Sequence, residues 1–181
     1  MKPHTQTKIL YDKVGTVAKL TETKTEPLSS LDFKQAFHEI QRADFLERLP
    51  KIDFLEAKTE KGFAENIIPI SILISEFDAI KPSVREQNQL QLNANNQYEI
   101  TDSSIDYFNT HKIGFASPLV KQLKGTQINF KLSDDLIFNT TNQIINKIEV
   151  NFNTGKGFEK ISADQLISVD FGTLGAKTIS F

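Results

Sequence analysis

The spacing of apolar residues changes once along the chain. In "SSLDFKQAFHEIQRADFLERLP" the residues Phe33, Phe37, Ile40 and Ala43 recur at helical intervals, which lines one face of a helix with apolar groups. Ser29 or Ser30 supplies a capping hydroxyl, Asp32 sits in the first turn, and Pro50 closes the pattern, so a helix is predicted over about residues 30–49. The following "KIDFLEAK" fits either another helical turn or a strand. Before the helix, residues 1–28 are rich in Thr and Lys. Their apolar positions Ile9, Leu10, Tyr11, Val14, Val17 and Leu20 fit neither period, and they read as extended chain lying on the domain.

From Glu65 the period is two. "NIIPISILISEF" places Ile68, Ile70, Ile72 and Ile74 on one face, with Leu73 opposite. Pro69 cannot donate to a ladder, which suits an edge strand or the start of one. Short strands are predicted around Leu90–Leu92 and Tyr98–Ile100, inside a polar Asn/Gln-rich stretch that belongs on the surface. Further strands follow at "HKIGFASPL", "TQINFKL", "LIFN", "NKIEVNF", "GFEKI", "LISVDF" and "AKTISF", with Ser133–Asp134–Asp135 read as a turn. Turn signals at this spacing are those of a sandwich. The expected architecture is mainly β with one N-terminal α-helix: residues 1–62 form an extended segment plus the helix, and residues 63–181 the β-sandwich domain.

Composition narrows the partners. With 181 residues, 39% hydrophobic and 24% charged, the chain can bury a sizeable core. A net charge of -2 argues against a nucleic-acid partner, which requires a basic footprint. The longest apolar run, "IIPISILI", is far short of a bilayer span, so no membrane insertion is expected. There is no cysteine, which removes disulfides and thiolate chemistry. "MKPHTQTKIL" lacks the apolar region of a signal peptide. The lone methionine, Met1, and the apolar last residue, Phe181, read as the bounds of a piece of a longer protein.

Few side chains invite chemistry. Phe152 leads into "NTGKG", whose Gly155 and Gly157 tolerate positive φ. The chain then continues as a strand, whereas a phosphate cradle needs a helix there, so this tip simply turns the chain. His4, His38 and His111 lack metal-ligand spacing, and each reads as structural or solvated. No nucleophile elbow occurs. Ser117, His111 and Asp106 make a conceivable triad only if the fold assembles them, and strand-end residues in a loop is the preferred reading. Asp32 with Glu39, and Asp134 with Asp135, are carboxylate pairs whose separation sequence does not fix. Asp102, Ser103, Ser104 and Asp106 offer oxygens to calcium but lack the loop glycine and distal glutamate, and a polar loop is preferred. No cofactor or metal is expected. Tryptophan is absent, and of the three tyrosines Tyr98 and Tyr107 bracket the polar 88–112 stretch. They are the candidate ligand-binding residues, because a ring with a polar handle suits sugar stacking, although rings that pack their own loop is the preferred reading.

Two resemblances add to this. Phe152, then Asn153–Thr154–Gly155 where the family has Gly-Asp-Gly, and "FGTLGAKTISF" with Phe171 and Gly175 resemble the PKD-like, immunoglobulin-like sandwich of bacterial exported proteins. Along the whole chain, "ILYDKV", "DFKQAFHEIQRADF", "NIIPISIL" and "FASPL" resemble the N-terminal region of large exported Bacteroidetes proteins, some with a downstream hydrolase-like domain or a type IX secretion signal. The resemblance implies a secreted or cell-surface, non-catalytic module acting as spacer or attachment domain. The alternative it allows is an accessory glycan- or protein-binding domain of an exported hydrolase. The implied partners are other domains of the same parent protein, or an extracellular glycan or protein.

Overall fold

The computed structural model describes residues 29–44, 46–92, 94, 98–100, 102–120 and 125–181. The run over 1–28, with His4 and Tyr11, lies outside them. Helix α1 spans Ser30–Ala43 and is fixed at its start by a capping box: the Asp32 N–H donates to Ser29 Oγ at 3.1 Å, and the Ser29 N–H donates to the Asp32 carboxylate at 3.0 Å. It buries Phe33, Ala36, Phe37, Ile40 and Ala43. The helix stops well before Pro50, at the buried Asp44. That carboxylate accepts hydrogen bonds from the N–H groups of Leu46 and Arg48 and from the Arg48 guanidinium, so satisfying it turns the chain.

The expectation of a single helix is corrected. "KIDFLEAK" begins a second one, α2, over Ile52–Glu65, and a short α3 covers Pro82–Glu86. Leu55, Thr59 and Gly62 form the buried stripe of α2. Asn66, at φ 56, ends α2 in the left-handed conformation that asparagine tolerates.

The strands are β1 (Ile68–Ile80), β2 (Gln91–Leu92), β3 (Tyr98–Glu99), β4 (Phe108–Pro118), β5 (Gln127–Asn139), β6 (Ile148–Val150), β7 (Glu159–Ile161) and β8 (Leu166–Asp170). Four of them form a mixed sheet in the order β4-β1-β5-β8, while β2-β3 and β6-β7 are separate antiparallel pairs. β1 is antiparallel to β4, from Ile70↔Pro118 to Ile80↔Phe108, and parallel to β5. Pro69 stands at the start of this central strand, where the missing donor costs least.

The turn expected at Ser133–Asp134–Asp135 is not made. β5 runs straight through, and the surplus residues are absorbed as an irregularity, since Ile70 faces Leu132 while Ile72 faces Ile137. The buried Ser71 hydroxyl donates to the Leu136 carbonyl there, at 3.2 Å, satisfying a group that the broken ladder leaves over. The last predicted strand, "AKTISF", makes only the isolated bridge Asn151↔Ser180.

The sheet is covered on both faces. α1 and α2 lie on one, where Phe33, Phe37, Ile40 and Leu55 pack with Leu73, Ile113, Phe115 and Leu136. The Phe33 and Phe115 rings meet edge-on at 5.1 Å, and Phe37 and Phe138 at 5.0 Å. The β6-β7 pair lies on the other face, packing Val150, Phe152 and Ile161 against Ile70, Phe130, Leu132 and Val169. The molecule is thus mostly β in a sandwich-like arrangement, with helices outside one sheet. The expected division at residues 62/63 falls inside α2, whose face shares the sheet's core.

Candidate functional site

The β6-β7 pair is short and covers only part of its face of the sheet. Over β5 and β8 the packing is dense: the Phe130 ring meets Phe152 at 4.9 Å and Phe171 at 6.3 Å. Over β1 and β4 it is not, and among the described residues an open groove of about 440 Å³ remains. Its floor is Ile72, Ile74, Gly114 and Ala116, its wall Ile145 and Ile148, and its rim Phe158 and Phe181. Alternation along β4 explains the depth. Ile113 and Phe115 point to the helices, leaving glycine and alanine at the intervening positions. A Cβ placed on Gly114 would meet only Ile74 Cγ1, at 3.9 Å. Phe158 and Phe181 are 57% and 39% exposed, a costly placement for large rings in water.

The groove's polar lining is self-contained. Lys147 Nζ and the Glu149 carboxylate pair at 2.9 Å, so the rim offers no unbalanced charge. A smaller hollow of about 270 Å³ lies beside it, sharing Ile145, Lys147 and Ile148 and adding Ile137, Lys160 and Ile161.

The residues singled out from sequence fall elsewhere. Tyr107 does not present its ring: it is 3% exposed and packs with Ile80 and Val84, with Leu90, Ile105 and Phe108 against them. Its hydroxyl is buried without a hydrogen-bond partner. The ring is the largest member of this small cluster, which Leu90, Ile105 and Phe108 complete, so it packs its own loop rather than facing solvent. Tyr98 begins β3, paired with Leu92.

Ser117 and His111 are both on β4, six residues apart, which separates them by about 20 Å along an extended strand. The Ser117 hydroxyl is buried and donates to the Pro118 carbonyl, and Asp106 pairs with Lys81 at 2.5 Å. The three do not meet. Asp102 accepts hydrogen bonds from the Ser104 hydroxyl at 2.6 Å and the Ser104 N–H at 2.9 Å. The hydroxyl first, then the N–H, hold its carboxyl below the usual aspartate range. Among the described residues, no group of three or more His, Asp or Glu side chains could hold a metal ion. Asp134 is exposed and Asp135 pairs with Lys58. Asp32 caps α1, and Glu39 accepts from Gln35.

At "NTGKG" the chain reverses between β6 and β7, with Ile148 opposite Ile161 and Val150 opposite Glu159. Asn153, Gly155 and Gly157 all take positive φ. The Asn153 amide donates to the Thr178 carbonyl at 2.8 Å, tying the tip to the C-terminal stretch. Sequence reasoning missed the groove because its floor combines strands distant in the chain. The available signal was the small pair Gly114 and Ala116 at alternate positions of an otherwise bulky strand.

Comparison with family models, with curated proteins and with solved structures returned no match. Among the described residues, no helix is long and apolar enough to cross a membrane.

Proposed function

We propose that this chain is a non-catalytic attachment module of a larger exported or cell-surface protein, gripping polypeptide through the groove over β1 and β4. One observation carries this reading: among the described residues, an apolar floor is left open beneath two exposed phenylalanines, on a sheet otherwise covered on both faces. An apolar concavity rimmed by exposed aromatic rings has the make-up of a binding face. The immunoglobulin-like, PKD-like type is proposed for the C-terminal portion alone, where β6, β7 and the Phe171–Phe181 stretch carry the resemblance. Of the two recognition modes open to an accessory domain, protein is favoured over glycan. Tyr107 is buried, and the two rings on the groove's rim, Phe158 and Phe181, are phenylalanines without a polar handle.

Two assays test the reading. The purified chain, offered generic ester and glycoside substrates, is expected to show no turnover. Turnover abolished by Ser117→Ala or His111→Ala contradicts it. On a glycan array the chain is expected to bind nothing. Glycan binding that is lost in Tyr98→Ala returns the accessory glycan-binding reading to first place.

A further inference from the structure

The wall of the groove is carried by a segment with no regular structure of its own. Residues 140–147 form neither helix nor strand, yet they take the chain from β5 to β6. They also change faces: Phe138 packs with the helices, whereas Ile145 and Ile148 stand on the groove. Within the turn, the Asn139 amide donates to the Gln143 carbonyl at 2.7 Å, and Asn139 Oδ1 accepts from the Thr141 N–H at 3.0 Å. Such bonds shape the turn, but they are local and do not tie it to another element.

Thr140 makes that tie. Its N–H donates to the Ile74 carbonyl at 2.9 Å, and its hydroxyl shares a bond with the buried Ser75 hydroxyl at 2.8 Å. Both partners belong to β1, and Ile74 is part of the groove's floor. The third bond comes from the opposite face, where Arg48 Nη1, in the linker between α1 and α2, donates to the Thr140 carbonyl at 2.6 Å. The same guanidinium is anchored at its other edge. Nε and Nη2 hold Asp44 Oδ1 at 3.0 and 2.9 Å, and the Asp44 side chain is 1% exposed. Because the guanidinium is a planar, rigid fork, its grip on Asp44 fixes the direction in which Nη1 points. A charge-assisted bond of this kind is also roughly twice as strong as a neutral one.

We infer that Arg48 is a positioning residue for the groove. Anchored on Asp44 in the helical layer, it holds the crossover at Thr140 and so sets where Ile145 and Ile148 stand on the other face. The width of the groove is thereby governed by the α1–α2 linker, which is not among the described residues that line it. The inference rests on the attachment reading for its meaning, since it names what regulates that site, but it holds whatever the groove receives.

The test compares two variants of the whole chain. Asp44→Asn keeps Arg48 and its bond to Thr140, while Asp44→Asn with Arg48→Ala removes that bond without stranding a buried charge. Relative to Asp44→Asn, the double variant is expected to speed amide hydrogen exchange at Thr140 and Thr141 by about tenfold more than at Leu73 and Phe130 in the middle of the sheet. The methyl signals of Ile145 and Ile148 are expected to move in NMR spectra, and that of Ile128, at the other end of β5, to stay. Arg48→Met, which keeps most of the apolar stem, replaces Arg48→Ala if the shorter side chain prevents folding. Equal acceleration across the sheet would make Arg48 a support of the fold alone, and unmoved Ile145 and Ile148 signals would detach it from the groove. Either result overturns the inference. Turnover by the purified chain removes the attachment reading and leaves these local measurements as they are, so the two failures are distinguishable.

Discussion

Gly62 shows how tightly the last turn of α2 is set against the strand that follows. A Cβ there would lie 2.4 Å from the Ile67 carbonyl oxygen and 2.6 Å from Pro69 Cδ. Both partners are backbone or ring atoms with little freedom to retreat, so Gly62→Ala is expected to destabilise the fold by about 2–3 kcal/mol, read as a lower denaturation midpoint. Asp44 poses the opposite problem, a buried carboxylate whose ion-pair partner is Arg48. Arg48 bonds it at 2.9 Å and also reaches the Thr140 carbonyl at 2.6 Å, while Ser75 and Thr140 share a hydroxyl bond at 2.8 Å. Arg48→Ala leaves that carboxylate with backbone N–H donors but without this counter-charge and is expected to cost about 3 kcal/mol, whereas Arg48→Ala in an Asp44→Asn background costs markedly less. A double-mutant cycle checks this. Asp102 titrates by different logic, since its depressed pKa comes from Ser104. Its turn is held above the ordinary aspartate range and is lost as the pH falls through the folded-state value. In an NMR titration, Ser104→Ala is expected to move the Asp102 midpoint upward, and an unchanged midpoint would refute the cause.

At the scale of elements, β5 carries the clearest lesson. Ser133–Asp134–Asp135 has turn composition, and a turn is the correct local preference. It is overridden because Ile128, Phe130 and Leu132 before it and Leu136 and Ile137 after it are all needed against the same sheet, so the polar triplet is pushed out as a bulge. Deleting those three residues is expected to give an uninterrupted β1–β5 ladder and a folded protein. The change in stability should stay within about 1 kcal/mol, because the lost Lys58–Asp135 pair is exposed. An unfolded deletion variant would show that the bulge is required. The period-two runs of β4, β6 and β8 were legible because each buries one face, and that of β1, buried on both, because isoleucines mark one face while Ser71 and Ser75 stand on the other. α2 was not, since its buried stripe is only Leu55, Thr59 and Gly62 and two of those three are not apolar signals. The groove was illegible for a similar reason: pairing Ile72 and Ile74 with Gly114 and Ala116 depends on a register that no local pattern contains.

For the molecule as a whole, the helices and the sheet form one structure. Leu73, Ile113, Phe115 and Leu136 are covered by α1 and α2, so a chain starting at residue 63 would expose that entire face. It is expected to aggregate or to lose cooperative unfolding, while the whole chain melts in one transition by circular dichroism and by NMR. On the other face the cover is partial, and the proposal of a polypeptide-gripping module depends on that asymmetry. Native-state hydrogen exchange along β6 tests it most directly. The amides of Ile148 and Val150, bonded to β7, are expected to be protected, while Glu149 between them exchanges at the rate of an exposed loop. A Glu149 amide as slow as its two neighbours would mean that this side of β6 is covered and that the asymmetry is not there.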